Sequence, residues 1–210
     1  INGARLRDSL MEMAKIGAPP EGGVSRVAVS EEDRHGRDLL RNWAATLVED
    51  FHFDEVGNMF FVRHGQQPEL PVILTGSHLD TQIHGGRFDG AFGVIAGLEV
   101  LRTLAEGDIR LPYGIGLVAW TNEEEACYCP AMGSAVFVGK QNLRSALDCV
   151  GLNGKVFGDE LKKIGYLGRP LELNISAYLE AHIEQGPVLE NEKIQVGVVS
   201  GCLLYTSPSP

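Results

Sequence analysis

Five groups of side chains in this sequence are suited to chemistry: His78, Asp80, Asp89, the adjacent pair Glu123-Glu124, and His182. Imidazole and carboxylate together suit zinc, manganese or cobalt rather than a soft metal held by thiolates. Asp89 sits in the glycine-rich run GGRFDG. A carboxylate has two oxygens and can bridge two ions, which in two-metal sites stand about 3.5–4 Å apart. Neighbouring glutamates at a strand end cannot both point the same way. One can ligate metal while the other faces the polarised water and serves as general base. Taken singly, each group has a plainer reading: a loop or capping pair at 78 and 80, a solvated acidic turn at 123–125, a surface histidine at 182. Their joint occurrence, two of them at strand ends of one sheet, favours a single hydrolytic centre.

The surrounding pattern supplies the elements that would position them. Pro71 to Ser77 is a short, continuous apolar run, the kind buried on both faces of a parallel sheet, and it ends on His78. From Gly90 to Glu106, Val94, Leu98, Leu101 and Ala105 recur at helical spacing. Tyr113 to Thr121 is a second buried strand, running directly into Asn122 and the glutamates. Strand, helix and strand in this order make a βαβ unit with parallel strands. Its C-terminal edge is where open α/β sheets place ligands.

Elsewhere, Asn2 can cap a helix with Leu6, Leu10 and Met13 on one face. Ser30 and Asp33 resemble a capping box, opening a helix with Leu40, Trp43 and Leu47 on its apolar face. Phe51–Val56 and Asn58–Arg63 read as a hairpin around Gly57, and 131–138 and 159–164 as short helices. From Ile175 to Glu184 apolar and polar residues alternate, which predicts a strand with His182 on its polar face. Lys193 to Ser200 reads as one more strand. The fold class is α/β, with a mostly parallel central sheet flanked by helices.

With 210 residues, 44% hydrophobic and 22% charged, the chain can build one domain with a sizeable core. Twenty-eight acidic against eighteen basic residues give a net charge of −10, which argues against nucleic acid or an anionic membrane as partner. No stretch approaches the roughly 20 apolar residues that span a bilayer. The cysteines are Cys127, Cys129, Cys149 and Cys202. Cys127 and Cys129 are too close for an ordinary disulfide in an extended segment, and no second thiol pair completes a structural zinc site. A reduced, cytoplasmic protein is the expectation.

The segments GSHLDTQ, GGRFDGAFGVIAGLEVL, WTNEE, PAM and EAHIEQGPVLE, in that order, resemble the dinuclear-metal amidohydrolases. That family holds the N-carbamoyl-L-amino-acid hydrolases, β-ureidopropionases and allantoate amidohydrolases, within the aminoacylase and metallocarboxypeptidase superfamily. The resemblance runs from Ile1, through MEMAKIGAPPEGGVSR and GRDLLRNWA, to about Gly201. It implies a metallopeptidase-like catalytic domain holding two divalent ions, whether zinc, manganese, cobalt or nickel. His78, Asp89 and His182 would hold one ion, and Asp89 and Glu124 the other. Glu123 would be the general base, Asp80 would orient His78 from behind, and Gln185 would contact the substrate. That substrate would be a small N-carbamoyl or ureido compound, an N-carbamoyl-L-amino acid or N-carbamoyl-β-alanine, cleaved at a C–N bond. Gln82 in HLDTQ resembles the carbamoylases and ureidopropionases more than the allantoate enzymes. An allantoate amidohydrolase, an aminoacylase or peptidase of the superfamily, and a non-catalytic binding homologue are the alternatives. Intact His78, Asp89, Glu123, Glu124 and His182 argue against the last.

Two departures stand beside the expected base: the family usually reads NEEGARF or NEEGSRF, and this chain reads NEEEACY, with Glu125 for glycine and Cys127 for arginine. PAM is also followed directly by Gly133-Ser134. In the family a lid and dimerisation domain and a further ligand histidine follow the catalytic stretch assigned here to 1–201. The 210 residues alone are therefore expected to be inactive and the full-length protein a homodimer. Residues 202–210, CLLYTSPSP, match the conceptual translation of a transposase adapter used in sequencing libraries. A longer reading of the source DNA is expected to continue differently after Gly201; a native frame encoding CLLYTSPSP would overturn that expectation.

Overall fold

The computed structural model describes residues 1–199, so the segment 202–210 lies outside the described residues. Helix α1 (Gly3–Met13) starts where Asn2 accepts a hydrogen bond from the Arg5 amide, and it buries Leu10 and Met13. Helix α2 (Glu31–Ala44) starts at Ser30, whose hydroxyl accepts from the Asp33 amide at 3.1 Å. The Asp33 carboxylate reaches back one residue further than in a standard capping box, to the Val29 amide at 2.8 Å. Leu40 is buried and Trp43 half-buried as the spacing predicts, but Leu47 lies in the turn beyond the helix end.

Strands β1 (Asp50–Phe53) and β2 (Met59–Arg63) form the expected antiparallel hairpin, with Gly57 in the left-handed region at φ 82°. β3 (Val72–His78), α3 (Ala91–Glu106) and β4 (Ile115–Trp120) form the βαβ unit, and β3 and β4 are adjacent and parallel. Short helices α4 (Met132–Phe137), α5 (Leu143–Leu147) and α6 (Phe157–Lys163) precede β5 (Ile175–Leu179), and α7 (Val188–Glu192) follows. The sheet order is β1-β2-β4-β3-β5. β2 is antiparallel to both neighbours and the β4-β3-β5 block is parallel, so β2 alone runs against the other four.

One face of the sheet carries the main core, where Leu40, Val94, Leu98, Leu101 and Leu117 are fully buried together. Two glycines let α3 lie close on the sheet. A Cβ at Gly93 would stand 2.5 Å from the Ala181 carbonyl oxygen and 2.7 Å from Ser77 Cβ, and one at Gly97 would stand 2.7 Å from Leu117 Cδ1. On the opposite face Phe60, Leu74, Val118 and Trp120 pack with Phe137 and Leu171. Among the described residues no helix is long and apolar enough to cross a membrane.

Two expectations are corrected here. β5 ends at Leu179, not at Glu184, and a bulge in its pairing with β3 breaks the strict alternation of faces. Beyond Leu179 the ladder gives way to side-chain bonds, with Ser77 donating to Glu180. Of the strand expected over Lys193 to Ser200, Ser200 lies outside the described residues and 193–199 form no strand, because a strand needs a neighbour to complete its hydrogen bonds and this segment lies beside none among the described residues. Val196, Val198 and Val199 are accordingly exposed.

Glu99, whose side chain is fully buried on α3, ties α1 to the core. Arg5 donates to both its oxygens at 2.8 Å, and the Asn2 amide donates at 2.7 Å. The Arg5 hydrogen bonds, helped by the Asn2 amide, hold this carboxyl down to about 2 from the usual 4.5. A depressed folded-state pKa stabilises the fold above the unfolded value and is lost as pH falls through the folded one. Unfolding free energy is therefore expected to fall between about pH 4.5 and 2. In chemical denaturation, Glu99→Gln is expected to be less stable at neutral pH and to show a flatter acid limb. An unchanged acid limb in the variant would remove Glu99 as its source.

Candidate metal centre at the C-terminal edge of the sheet

His78 is the last residue of β3 and stands in register with Trp120, the last residue of β4. Parallel pairing thus places the loop from Thr121 to Glu124 beside the loop from Leu79 to Asp89. Asp80, 2% exposed, joins the two. Its main-chain carbonyl lies 2.9 Å from His78 Nδ1 and accepts that proton. Its carboxylate accepts from the amides of Glu123 at 3.3 Å and Glu124 at 3.0 Å, and remains 3.8 Å from the imidazole. The orienting contact to His78 is therefore made by the Asp80 backbone, while its side chain fixes the path of the glutamates. Burial pushes the Asp80 carboxyl above the usual range.

Asp89 enters from the glycine loop, and Gly90 after it adopts φ 61° with the His78 ring directly over its Cα. A Cβ there would collide with that ring, so the position requires glycine for contact as well as conformation. Asp89 Oδ1 lies 3.9 Å from His78 Nε2 and 3.3 Å from His182 Nε2. His182 arrives from the segment after β5, its Nδ1 donating to the Ile183 carbonyl at 2.9 Å. One donor atom from each of His78, Asp89 and His182 lies within 4.8 Å of the others.

This trio fits a divalent cation on chemical grounds. Asp89 Oδ1 is buried with no hydrogen-bond partner, a state that is costly for a carboxylate oxygen in water-poor surroundings. Each histidine commits Nδ1–H to a main-chain carbonyl, which turns the lone pair of Nε2 toward that oxygen. Three acceptors thus converge on one point. Burial alone lowers the His78 pKa, but the Asp80 carboxylate and carbonyl, with Glu124 and Glu123, raise it overall. The acidic surround that favours a proton on His78 would equally favour a metal ion.

Glu124 stands outside this trio. Its carboxylate accepts from the Gln82 side-chain amide at 2.6 Å, and burial followed by the charge of Asp89 raises its pKa. Glu123 is half-buried, with its pKa raised chiefly by burial and then by Asp80; Ser134 donates to its carboxylate at 3.3 Å. Its carbonyl accepts from the Ala131 amide at 2.9 Å. The turn that returns the chain is sharp, with Asn122 and Ala131 both left-handed and the Asn122 side-chain amide (Nδ2) donating to the Cys129 carbonyl at 2.5 Å. Gln185 donates to Asp89 Oδ2, so here it touches a prospective ligand. Sequence reasoning did not find the Gln82–Glu124 bond or the Ser134 contact. It also missed the group in which Trp120 donates to the Tyr178 hydroxyl at 2.9 Å while Tyr178 and Ser77 donate to Glu180. The one available signal was Glu180 sharing a polar face with His182.

A mixed sheet flanked by helices, with an imidazole–carboxylate cluster at its C-terminal edge, is the architecture of a hydrolase catalytic domain, and comparison with known proteins gives its family. The model of peptidase family M20/M25/M40 matches residues 74–204, and the chain belongs to this family. It is 45% identical over 205 residues to an N-carbamoyl-L-amino-acid amidohydrolase of Rhizobium meliloti, covering 96% of this chain and 49% of that protein. It is 29% identical over 208 residues to a ureidoglycolate hydrolase of Arabidopsis thaliana, covering 93% of this chain and 44% of that protein. A crystal structure of a hydantoinase/carbamoylase family amidase from Burkholderia ambifaria superposes with a TM-score of 0.89 at 49% identity. That match covers 92% of this chain and 48% of the amidase. The chain thus spans about half the length of the curated relatives it matches.

Because the His78 ring rests on Gly90, Gly90→Ala is expected to weaken binding of a divalent cation by about tenfold or more, the loss typical when a ligand is displaced from its support. Isothermal titration with zinc or manganese measures it, with the far-ultraviolet spectrum as the folding control. Unchanged affinity in a folded variant would separate His78 from the metal.

Proposed function

We propose that the full-length protein is a metal-dependent amidohydrolase that cleaves the C–N bond of a carbamoyl or ureido group, with an N-carbamoyl-L-amino acid or N-carbamoyl-β-alanine as substrate. The observation that carries this reading is the convergence of His78, Asp89 and His182 around the unpartnered Asp89 Oδ1, next to the half-buried Glu123. Relatives named for carbamoyl-amino-acid and ureidoglycolate hydrolysis support the C–N bond of a carbamoyl or ureido group as the target.

In this reading His78, Asp89 and His182 would hold one ion, and Asp89 with Glu124 would hold a second of the zinc, manganese, cobalt or nickel group. When bound there, divalent cations would supply Lewis-acid polarisation of the carbamoyl carbonyl and a water acidic enough to react near neutral pH. Glu123 takes the proton of the attacking water and delivers it to the departing nitrogen. Its raised pKa suits both steps, because a carboxylate that holds a proton more tightly is a better base and can later return that proton. Ser134 and the Ala131 amide hold Glu123 in place. Asp80 keeps His78 turned with Nε2 toward the centre and anchors the glutamate backbone. Gln185 is placed to meet the substrate beside Asp89.

Activity, in this proposal, belongs to a chain longer than these 210 residues, working as a cytoplasmic homodimer, with residues 1–201 as the catalytic stretch and 202–210 foreign to it. Three free cysteines among the described residues suit a reducing compartment.

In the full-length protein, Glu123→Gln is expected to retain bound metal and to lower turnover of N-carbamoyl-L-amino acids or N-carbamoyl-β-alanine by about 10²–10⁴-fold, the usual contribution of a positioned acid–base group. Metal content by mass spectrometry and kcat measured together check it. Near wild-type turnover would remove Glu123 as the base. Turnover of allantoate alone would move the substrate assignment within the same chemistry.

A further inference from the structure

The loop that delivers Glu123 and Glu124 also carries two thiols, and a third faces it. The Cys127 carbonyl accepts from the Leu152 amide at 2.9 Å, so residues 125–130 lie against the segment that follows α5. Cys127 Sγ packs over Gly151, where a Cβ would stand 2.7 Å away. Two residues out from this contact on either segment are Cys129, exposed, and Cys149, half-buried. The two segments thus bring these thiols to the same side of the loop, and the proximity of Cys149 pushes the Cys129 thiol up. Cys127 is half-buried at the edge of the core, where its sulfur is taken up by the contact with Gly151.

We propose that Cys129 and Cys149 form a reversible disulfide when a low-molecular-weight disulfide of the glutathione class acts as oxidant. Cys129, the exposed thiol, loses its proton and attacks one sulfur of the small disulfide, releasing one small thiolate and forming a mixed disulfide. Cys149 then loses its proton and attacks the Cys129 sulfur, releasing the second small thiolate. Two protein thiols are oxidised and one small disulfide is reduced to two thiols. The bond staples the 122–131 turn to the segment after α5. That turn holds the glutamates in place through the Asn122–Cys129 and Ala131–Glu123 hydrogen bonds. Oxidation would therefore be read by the loop that carries Glu123.

The test uses the 210-residue chain with Cys202→Ser, equilibrated against graded mixtures of oxidised and reduced glutathione and quenched by alkylation. Peptide mass spectrometry without reduction is expected to find one cross-linked pair joining the peptides of Cys129 and Cys149, with loss of two hydrogen masses, reversed by dithiothreitol. Cys127 is expected to remain alkylatable after unfolding. Cys129→Ser and Cys149→Ser are each expected to abolish the cross-link, while Cys127→Ser leaves it. Amide hydrogen exchange over 123–131 is expected to slow on oxidation in the parent and not in Cys129→Ser. A cross-link through Cys127, glutathione adducts alone, or thiols unchanged across the series would each overturn the proposal. So would a Cys129–Cys149 bond that leaves exchange in the loop unaltered.

Discussion

A carboxylate taken out of water must find hydrogen-bond donors, and Asp80 satisfies that demand by gripping the next strand's exit loop. Its two oxygens take the amides of Glu123 and Glu124, while its carbonyl takes the Nδ1 proton of His78. One residue therefore couples the end of β3 to the end of β4. Neither the histidine nor the glutamates can shift alone. Beneath it lies a layer of buried charge: Arg37 pairs with Asp33 at 2.9 Å and reaches Thr121 at 3.1 Å. Arg26, 1% exposed, donates to the carbonyls of Met13, Ile16 and Leu79. These groups hold α1, α2 and the β3 exit loop to one frame. Removing a single partner from such a layer leaves an uncompensated charge, which is why it favours one arrangement over many.

The close approach of α3 to the sheet is the second constraint. Gly93 admits the Ala181 carbonyl and Gly90 admits the His78 ring, so the first turn of α3 is bare of side chains where the centre is built. The chain leaving β5 crosses that bare turn, and His182 meets Asp89 there. The centre is assembled at a point of backbone contact, which fixes distances better than long side chains on a loop can.

Much of the fold was legible because local rules and tertiary packing agree in it. Asn2 and Ser30 cap helices as their side chains allow, the 3.6-residue spacing from Val94 to Leu101 marks the buried face of α3, and the apolar runs at 71–77 and 113–121 become β3 and β4. The reading failed where a periodic pattern lacked the neighbour that would make it a strand. Residues 193–199 alternate like a strand and pair with nothing among the described residues, and 180–184 alternate but leave the sheet. Short helix α7 escaped notice because its cap is Glu184, whose oxygens take the Val188 and Leu189 amides at 2.9 Å from outside the usual position.

For the site, the sequence by itself determined the inventory: the imidazoles, the carboxylates, the glycines that must flank them, and the strand ends that display two of the groups. The order of its segments also carried the family resemblance. It did not determine which atom of each residue acts. That the Asp80 backbone and not its carboxylate holds His78, that Gln82 takes Glu124, and that Asp89 Oδ1 is left facing two Nε2 atoms were decided by the tertiary structure. The physical reason is that periodicity encodes which face of an element is buried. The pairing of a particular oxygen with a particular donor depends on how distant segments meet, and His182 meets Asp89 only after β5 has paired with β3 and the chain has crossed Gly93.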